Sequence, residues 1–361
     1  MTARYFDYNA TTPLKPAAKA RMLDAMALSG NPSSVHAYGR EARRHMEQSR
    51  EILAAQLGVR PAQIIFTSGG TEANDLALNG IRNLPCVVSA IEHDATLAAR
   101  PDALQIPVNA GGIIDVDWLS ANLTGPALVS VMLANNETGV IQPVAEIAAI
   151  VHGQGGLLHV DASQAFGKIP VNFLLLGADL MTLSAHKLGG PKGIGALVLA
   201  DGIAIEPRLR GGGQEQRRRA GTENLIGIAG FTGAIENLHD DLSLMQQQAV
   251  WRDAFEQVIT AKAPDAIIYG KNAPRLPNTS LVGWPHMAAE IQLMALDLAG
   301  FAVSTGAACS SGKVKPSHVL TAMGCSTEAA QQAIRISSGW ETSEADYQAL
   351  AAAWLKMAKI D

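Results

Sequence analysis

The sequence predicts an α/β protein: a large domain on a mostly parallel central sheet, and a smaller α+β domain. Three observations predict it. At 361 residues the chain exceeds what one hydrophobic core usually serves. Through its first two thirds, short apolar runs alternate with helical stretches. Past the Ala263-Pro264 break the rhythm changes to shorter strands and helices. Hydrophobic residues at 48% and charged residues at 17% supply the apolar surface for a large interior.

The elements follow in order. Residues 1–12 are short, strand-like and rich in turn formers, and are expected to pack with the second domain. Residues 15–29 and 34–57 read as helices. Strands are expected at 63–67, 86–90, 128–133, 157–160, 180–183 and 195–199, with helices such as 71–79 and 144–152 between them. That alternation implies a sheet covered on both faces. One long helix is expected over 223–261, with the domain boundary inside it near residue 245. The large domain is thus 13–245, and the small domain 1–12 with 246–361. Within the latter, 267–269, 279–282, 303–304 and 334–337 read as strands, and 288–298 as a helix.

Composition excludes several function classes. The formal net charge is -5, aromatics are 5%, and basic residues are scattered apart from Arg217-Arg218-Arg219. That is no nucleic-acid footprint and no base-stacking platform. The first residues lack the apolar core of a signal peptide, and no run reaches the roughly 18 apolar residues of a membrane span. A cytoplasmic protein, with no membrane partner, is expected. Cys86, Cys309 and Cys325 show no paired spacing, so neither a disulfide framework nor a metal site is expected.

Polar groups cluster where apolar runs end. Ser184-Ala185-His186-Lys187 closes one run and is followed by glycines, which places a lysine amine at a strand terminus. Such an amine can form a Schiff base with an aldehyde cofactor, of which pyridoxal 5′-phosphate (PLP) is the usual one. Thr67-Ser68-Gly69-Gly70-Thr71 joins a strand to a helix start, an anion site in which Gly70 admits a phosphate and Thr71 adds a hydroxyl. Asp161 ends another run and can hold a pyridine nitrogen protonated, with Gln164 in reach of the ring hydroxyl. His93 can stack on the ring or move protons. Asn135-Asn136-Glu137 follows a fourth run, at the strand edge where α/β sheets collect ligands. Cys309 lies among small residues, two glycines and two lysines, a setting that favours thiolate. Cys86 begins an apolar strand and reads as core; Cys325 precedes an N-cap, Ser326. Arg335 interrupts an apolar alternation, so it faces either a ligand carboxylate or an internal acid.

On these motifs the chain resembles, over essentially its whole length, the cysteine desulfurases of the NifS/IscS type. These belong to the class V aminotransferases and have the PLP-dependent transferase fold type I. The opening Tyr5-Phe6-Asp7-Tyr8-Asn9-Ala10-Thr11-Thr12-Pro13 and the segment Gly30-Asn31-Pro32-Ser33-Ser34-Val35-His36 match further signatures. The resemblance implies that Gly70, Thr71, Ser184 and His186 hold the phosphate and His93 stacks on the ring. It implies that Asn136 contacts cofactor and substrate, that Asp161 and Gln164 meet the ring, and that Lys187 carries the aldehyde. It implies that Arg335 holds the substrate carboxylate and that Cys309 accepts sulfur, with alanine released from L-cysteine. Arg219-Ala220-Gly221-Thr222 is similar to a segment that reaches the neighbouring subunit, which implies a homodimer in which Thr222 completes the other site. An iron–sulfur scaffold or another sulfur-acceptor protein is the implied partner. Ala307, Lys313-Val314-Lys315 and Trp340 depart from the family's usual residues without removing a catalytic group. A selenocysteine lyase on the same scaffold, another class V enzyme and a cofactor-free sulfur carrier remain as alternatives. Gly306 and Gly312 lead to the further expectation that residues 308–315 are mobile and that Cys309 rests too far from Lys187 for direct attack.

Overall fold

The computed structural model describes residues 3–306 and 316–360. Its first strand, β1 (Arg4–Tyr5), is remote from those that follow in sequence. The next seven are β2 (Ile64–Thr67), β3 (Cys86–Ser89), β4 (Leu104–Ile106), β5 (Leu128–Met132), β6 (Leu157–Asp161), β7 (Leu180–Ser184) and β8 (Gly195–Leu199). They form one sheet in the order β2-β8-β7-β6-β5-β3-β4. β8 alone is reversed, antiparallel to both β2 and β7; the others share one direction. The carboxyl ends of β2, β3, β5, β6 and β7 therefore open on one edge. β5, β7 and β8 are buried throughout, which is why they read as largely apolar runs without alternation. β4 escaped the sequence reading because it is an edge strand of three residues, two of them exposed.

The helix pattern shows one correction. Instead of a single helix over 223–261 there are two, Leu225–Ile235 and Leu238–Lys262, broken at Glu236–Asn237. The first packs on helix Pro16–Met26, where Gly233 allows the backbones to meet: a Cβ there would lie 2.6 Å from the Ala17 carbonyl oxygen. The second sends Phe255 and Ile259 into a separate core. One straight rod cannot bury both surfaces, so the chain turns between them.

That separate core lies under a four-stranded antiparallel sheet. Its members are β9 (Ile267–Ile268), β10 (Thr279–Gly283), β12 (Ser304–Thr305) and β13 (Ala333–Ser337), in the order β12-β13-β10-β9. β11 (Phe301–Ala302) instead pairs in parallel with β1. Phe6 enters this core against Phe301 and Tyr347, and Asp7 bridges to Ser337. The opening residues thus leave the small sheet and run directly beneath the edge of the large one.

Candidate active site

The turn after β2 makes a cradle. Gly69, with φ of 152°, turns the chain into helix Gly70–Gly80, whose first N–H groups lack helical partners. A Cβ on Gly70 would lie 3.3 Å from Ser163 Oγ and 3.4 Å from Ser184 Cβ, so the turn, the exit of β6 and the end of β7 converge. Gly195 makes this approach possible, since a Cβ there would lie 2.7 Å from the Gly69 carbonyl carbon. Thr71 stands exposed in the first helical turn. Glu72 ties the loop down: it accepts from Ser68 N at 2.7 Å and pairs with Arg219 at 2.8 and 3.1 Å.

Asp161 ends β6, and both its oxygens are engaged. Oδ1 accepts from Ser163 N at 2.9 Å and Oδ2 from Asn74 Nδ2 at 2.8 Å. Asn74 Oδ1 is buried without a partner. His93 caps helix Asp94–Ala99 by accepting from Ala95 N, and its ring is exposed. Its neighbour Glu92 is buried; burial and then the Asp161 charge push its carboxyl up to about 8.

Lys187 closes the short turn Ala185–Lys187 after β7. Its Nζ donates to the carbonyl oxygens of Asn9 (2.7 Å) and Ala10 (3.0 Å). Burial, then the nearby Arg335 charge, pushes this amine down to about 8 against the opposing pull of Asp161 and Asp7. His186 lies beside Thr11, with Nδ1 3.3 Å from Oγ1, and is pushed down to about 4 by burial and then by Lys187, Lys192 and His93; it is a neutral ring at neutral pH. Gln164 is buried, with Nε2 donating to Asn9 O at 2.9 Å.

Arg335, in the middle of β13, approaches from the other side. It is buried, its Nη2 pairs with Asp7 Oδ1 at 2.7 Å, its Nη1 donates to Asn136 O at 3.2 Å, and its Nε has no partner among the described residues. Of the two options the sequence left open, the structure shows the internal acid. Thr222 is exposed. Its segment starts from Glu215, Gln216 and Arg217, all at φ between 46° and 67°, a strained turn that Arg50 holds through a two-pronged pair with Glu215 at 2.8 and 2.9 Å. Cys309 and the expectations on 308–315 lie outside the described residues. Cys86 is buried, and burial raises its thiol to about 11, as suits a core residue. Ser326 caps its helix as expected, accepting from Ala329 N.

The sequence reading passed over Asn9, Asn74, Ser163 and Lys168, all in or beside this cleft. Asn9 is the hub: Lys187 and Gln164 meet its carbonyl, Lys168 its side chain, and its own amide donates to Asn136 O and Thr279 Oγ1. The only signal for it was its place in the opening motif.

The family model for class-V aminotransferases, "Aminotransferase class-V", matches residues 4–350. The chain belongs to that family. Within it, the chain is 42% identical to a cysteine desulfurase of Cereibacter sphaeroides, over 94% of this chain and 92% of the relative. It is 39% identical to the cysteine desulfurase IscS of Dictyoglomus turgidum, over 95% and 91%. Among solved structures, a NifS-like protein from Rickettsia africae superposes with a TM-score of 0.92 at 36% identity, covering 99% of each chain. The cysteine desulfurases of this family are PLP-dependent enzymes that act on L-cysteine, and this class-V chain is one of them. The residues present suit PLP: a hydroxyl-lined cradle that a Cβ on Gly70 would begin to fill, a carboxylate at Asp161, and a lysine amine held down to about 8. Among the described residues no helix is long and apolar enough to cross a membrane.

Proposed function

We propose that the chain converts L-cysteine to L-alanine at this cleft and passes the sulfur to Cys309, in a homodimer whose subunits each lend Thr222 to the other site. The observation that carries the reading is a half-buried Lys187 just past the end of β7, within electrostatic reach of both Arg335 and Asp161, with its amine brought down to about 8. Gly70, Thr71, Ser184 and His186 would hold the cofactor phosphate, with Thr222 of the neighbouring subunit; His93 would stack on its ring, Asp161 would keep its nitrogen protonated and Gln164 would meet its hydroxyl. When bound, PLP supplies an electron sink for the substrate α-carbon.

The protein's own groups do the rest. Arg335 exchanges Asp7 for the substrate carboxylate, and its unpartnered Nε offers one more donor for a forked grip. Asn136 borders the same carboxylate. Lys187 removes the α-proton, a role suited to an amine that titrates near 8. His93, exposed beside the cleft, carries protons to and from substrate. The Cys309 thiolate attacks the substrate sulfur; the Cβ–S bond breaks with its electron pair left on carbon, a Cys309 persulfide forms, and protonation of Cβ with return of the α-proton leaves alanine. The large domain is 13–245, and the small domain, 1–12 with 246–361, brings Arg335 and Cys309. The enzyme works in the cytoplasm and hands its persulfide to an iron–sulfur scaffold or another sulfur acceptor.

The test is turnover by PLP-loaded protein with a thiol reductant, assayed for alanine and sulfide together. Equal amounts of both from L-cysteine, lost in Cys309→Ser, support the reading. Selenide from selenocysteine with no sulfide from L-cysteine would overturn it in favour of a selenocysteine lyase.

A further inference from the structure

Lys168 is a buried lysine with no part in the proposed reaction. It follows Gln164 by four residues, and its Nζ lies 2.7 Å from Gln164 Oε1 and 2.7 Å from Asn9 Oδ1. No carboxylate meets it among the described residues. Two acceptors match the two hydrogens of a neutral amine; an ammonium would bury a third N–H without a partner. Burial, with Lys187 and Arg335 close by, pushes its pKa well down, in the same direction.

The Gln164 amide is pinned at both ends. Oε1 accepts from Lys168 while Nε2 donates to Asn9 O. Flipping it would set Nε2 against the Lys168 hydrogens and Oε1 against a carbonyl oxygen, spoiling two buried hydrogen bonds at once. The same Asn9 carbonyl receives Lys187. We propose that Lys168 is a positioning residue for the cofactor: by holding Gln164 Oε1 and Asn9 Oδ1 it leaves Gln164 only an N–H donor to offer the ring hydroxyl, and so sets the acidity of the Lys187–cofactor linkage. The inference rests on the reading of Gln164 as the ring-hydroxyl partner. A donor at that oxygen stabilises its negative charge and lets the linkage proton leave at lower pH; a lone pair turned toward it does the reverse.

The experiment is a double-mutant cycle on PLP-loaded protein, read as the pH midpoint of the visible absorbance band. Borohydride mapping of the modified peptide verifies that Lys187 carries the cofactor in each variant. Lys168→Met, close to lysine in shape but without donors, should raise the midpoint by about one pH unit, tenfold in the acid constant. Gln164→Leu should raise it by a similar amount, and the double variant should move no further than either single one. A shift in Gln164→Leu with none in Lys168→Met, or shifts that add, would overturn the proposal and leave the Gln164 role standing. No shift in either removes both. Should the methionine variant not fold, Lys168→Gln, which keeps an N–H donor on a shorter side chain, carries the same comparison with a smaller expected shift.

Discussion

The large sheet and the small sheet reach the cleft in different ways. The large sheet works from strand ends: Asp161 and Ser184 are the last residues of β6 and β7, Lys187 lies three residues past β7, and Asp161 finds its partners nearby at Ser163 and in the helix after β2, while Lys187 donates to the opening segment at Asn9 and Ala10. The small sheet works from mid-strand: Arg335 lies at the centre of β13, opposite Leu281 and Ser304, and its acid partner is Asp7 at the far end of the chain. A strand-end group is fixed by the sheet itself, so it suits a cofactor that stays. A mid-strand arginine held by a displaceable carboxylate suits a substrate that comes and goes. The difference teaches a division of labour: perturbing the first set should alter how PLP is held, and perturbing the second should alter what is done with cysteine.

That division can be broken by experiment. The largest effect is expected for Lys187→Ala, which should abolish the borohydride-fixed pyridoxyl peptide and cut alanine formation by roughly a thousandfold or more. A pyridoxyl group fixed on another lysine would show that the strand-end reading is misplaced. Next, Cys309→Ser should keep the visible band and cysteine binding while sulfide release falls about a hundredfold or more; loss of the band would mean that the two regions are not separable. Arg335→Ala should leave the band unchanged and raise KM by about a hundredfold, the equivalent of about 3 kcal/mol for a charge-assisted grip. A fall in kcat with unchanged KM would assign Arg335 to the chemistry instead.

The smallest effect sharpens the comparison through pH. Only the neutral amine attacks the cofactor aldehyde, and Lys187 is lowered from the ordinary lysine range to about 8. Cofactor capture by apo-protein should therefore speed up about tenfold per pH unit below 8 and level off above it, measured by growth of the visible band. A rise that continues toward pH 10 would show an unperturbed amine, and with it a Lys187 not buried beside Arg335.

The strand-end half of the site was legible in the sequence because an apolar run followed by a polar motif is a local signal. Gly70, Asp161 and Lys187 all carried it. Arg335 was legible only as an anomaly, since nothing near it in sequence points to Asp7. Lys168 gave no signal: it sits in a turn where a solvated lysine is ordinary, and its burial follows from the path of residues 7–10 beneath β6 and β7. That path also explains Asn9, whose backbone carbonyl, not its side chain, receives Lys187. The fold shows the same contrast. The buried strands were plain, whereas the exposed β4 and the break at Glu236–Asn237 depend on packing between distant elements.

One feature also bears on how the molecule assembles. β8 is the last strand of the large sheet to be synthesised, yet it lies between β2 and β7. Among the described residues β8 is the sole neighbour of β2 in that sheet, and its first residue, Gly195, meets the turn carrying Gly69 and Gly70. The phosphate cradle therefore joins chain segments far apart in sequence, and contacts of such separation close more slowly than helices form. A chain with β8 misplaced offers PLP no complete site. The free energy of cofactor binding, which grows as RT ln(1 + [L]/Kd), accrues only to chains whose sheet has closed.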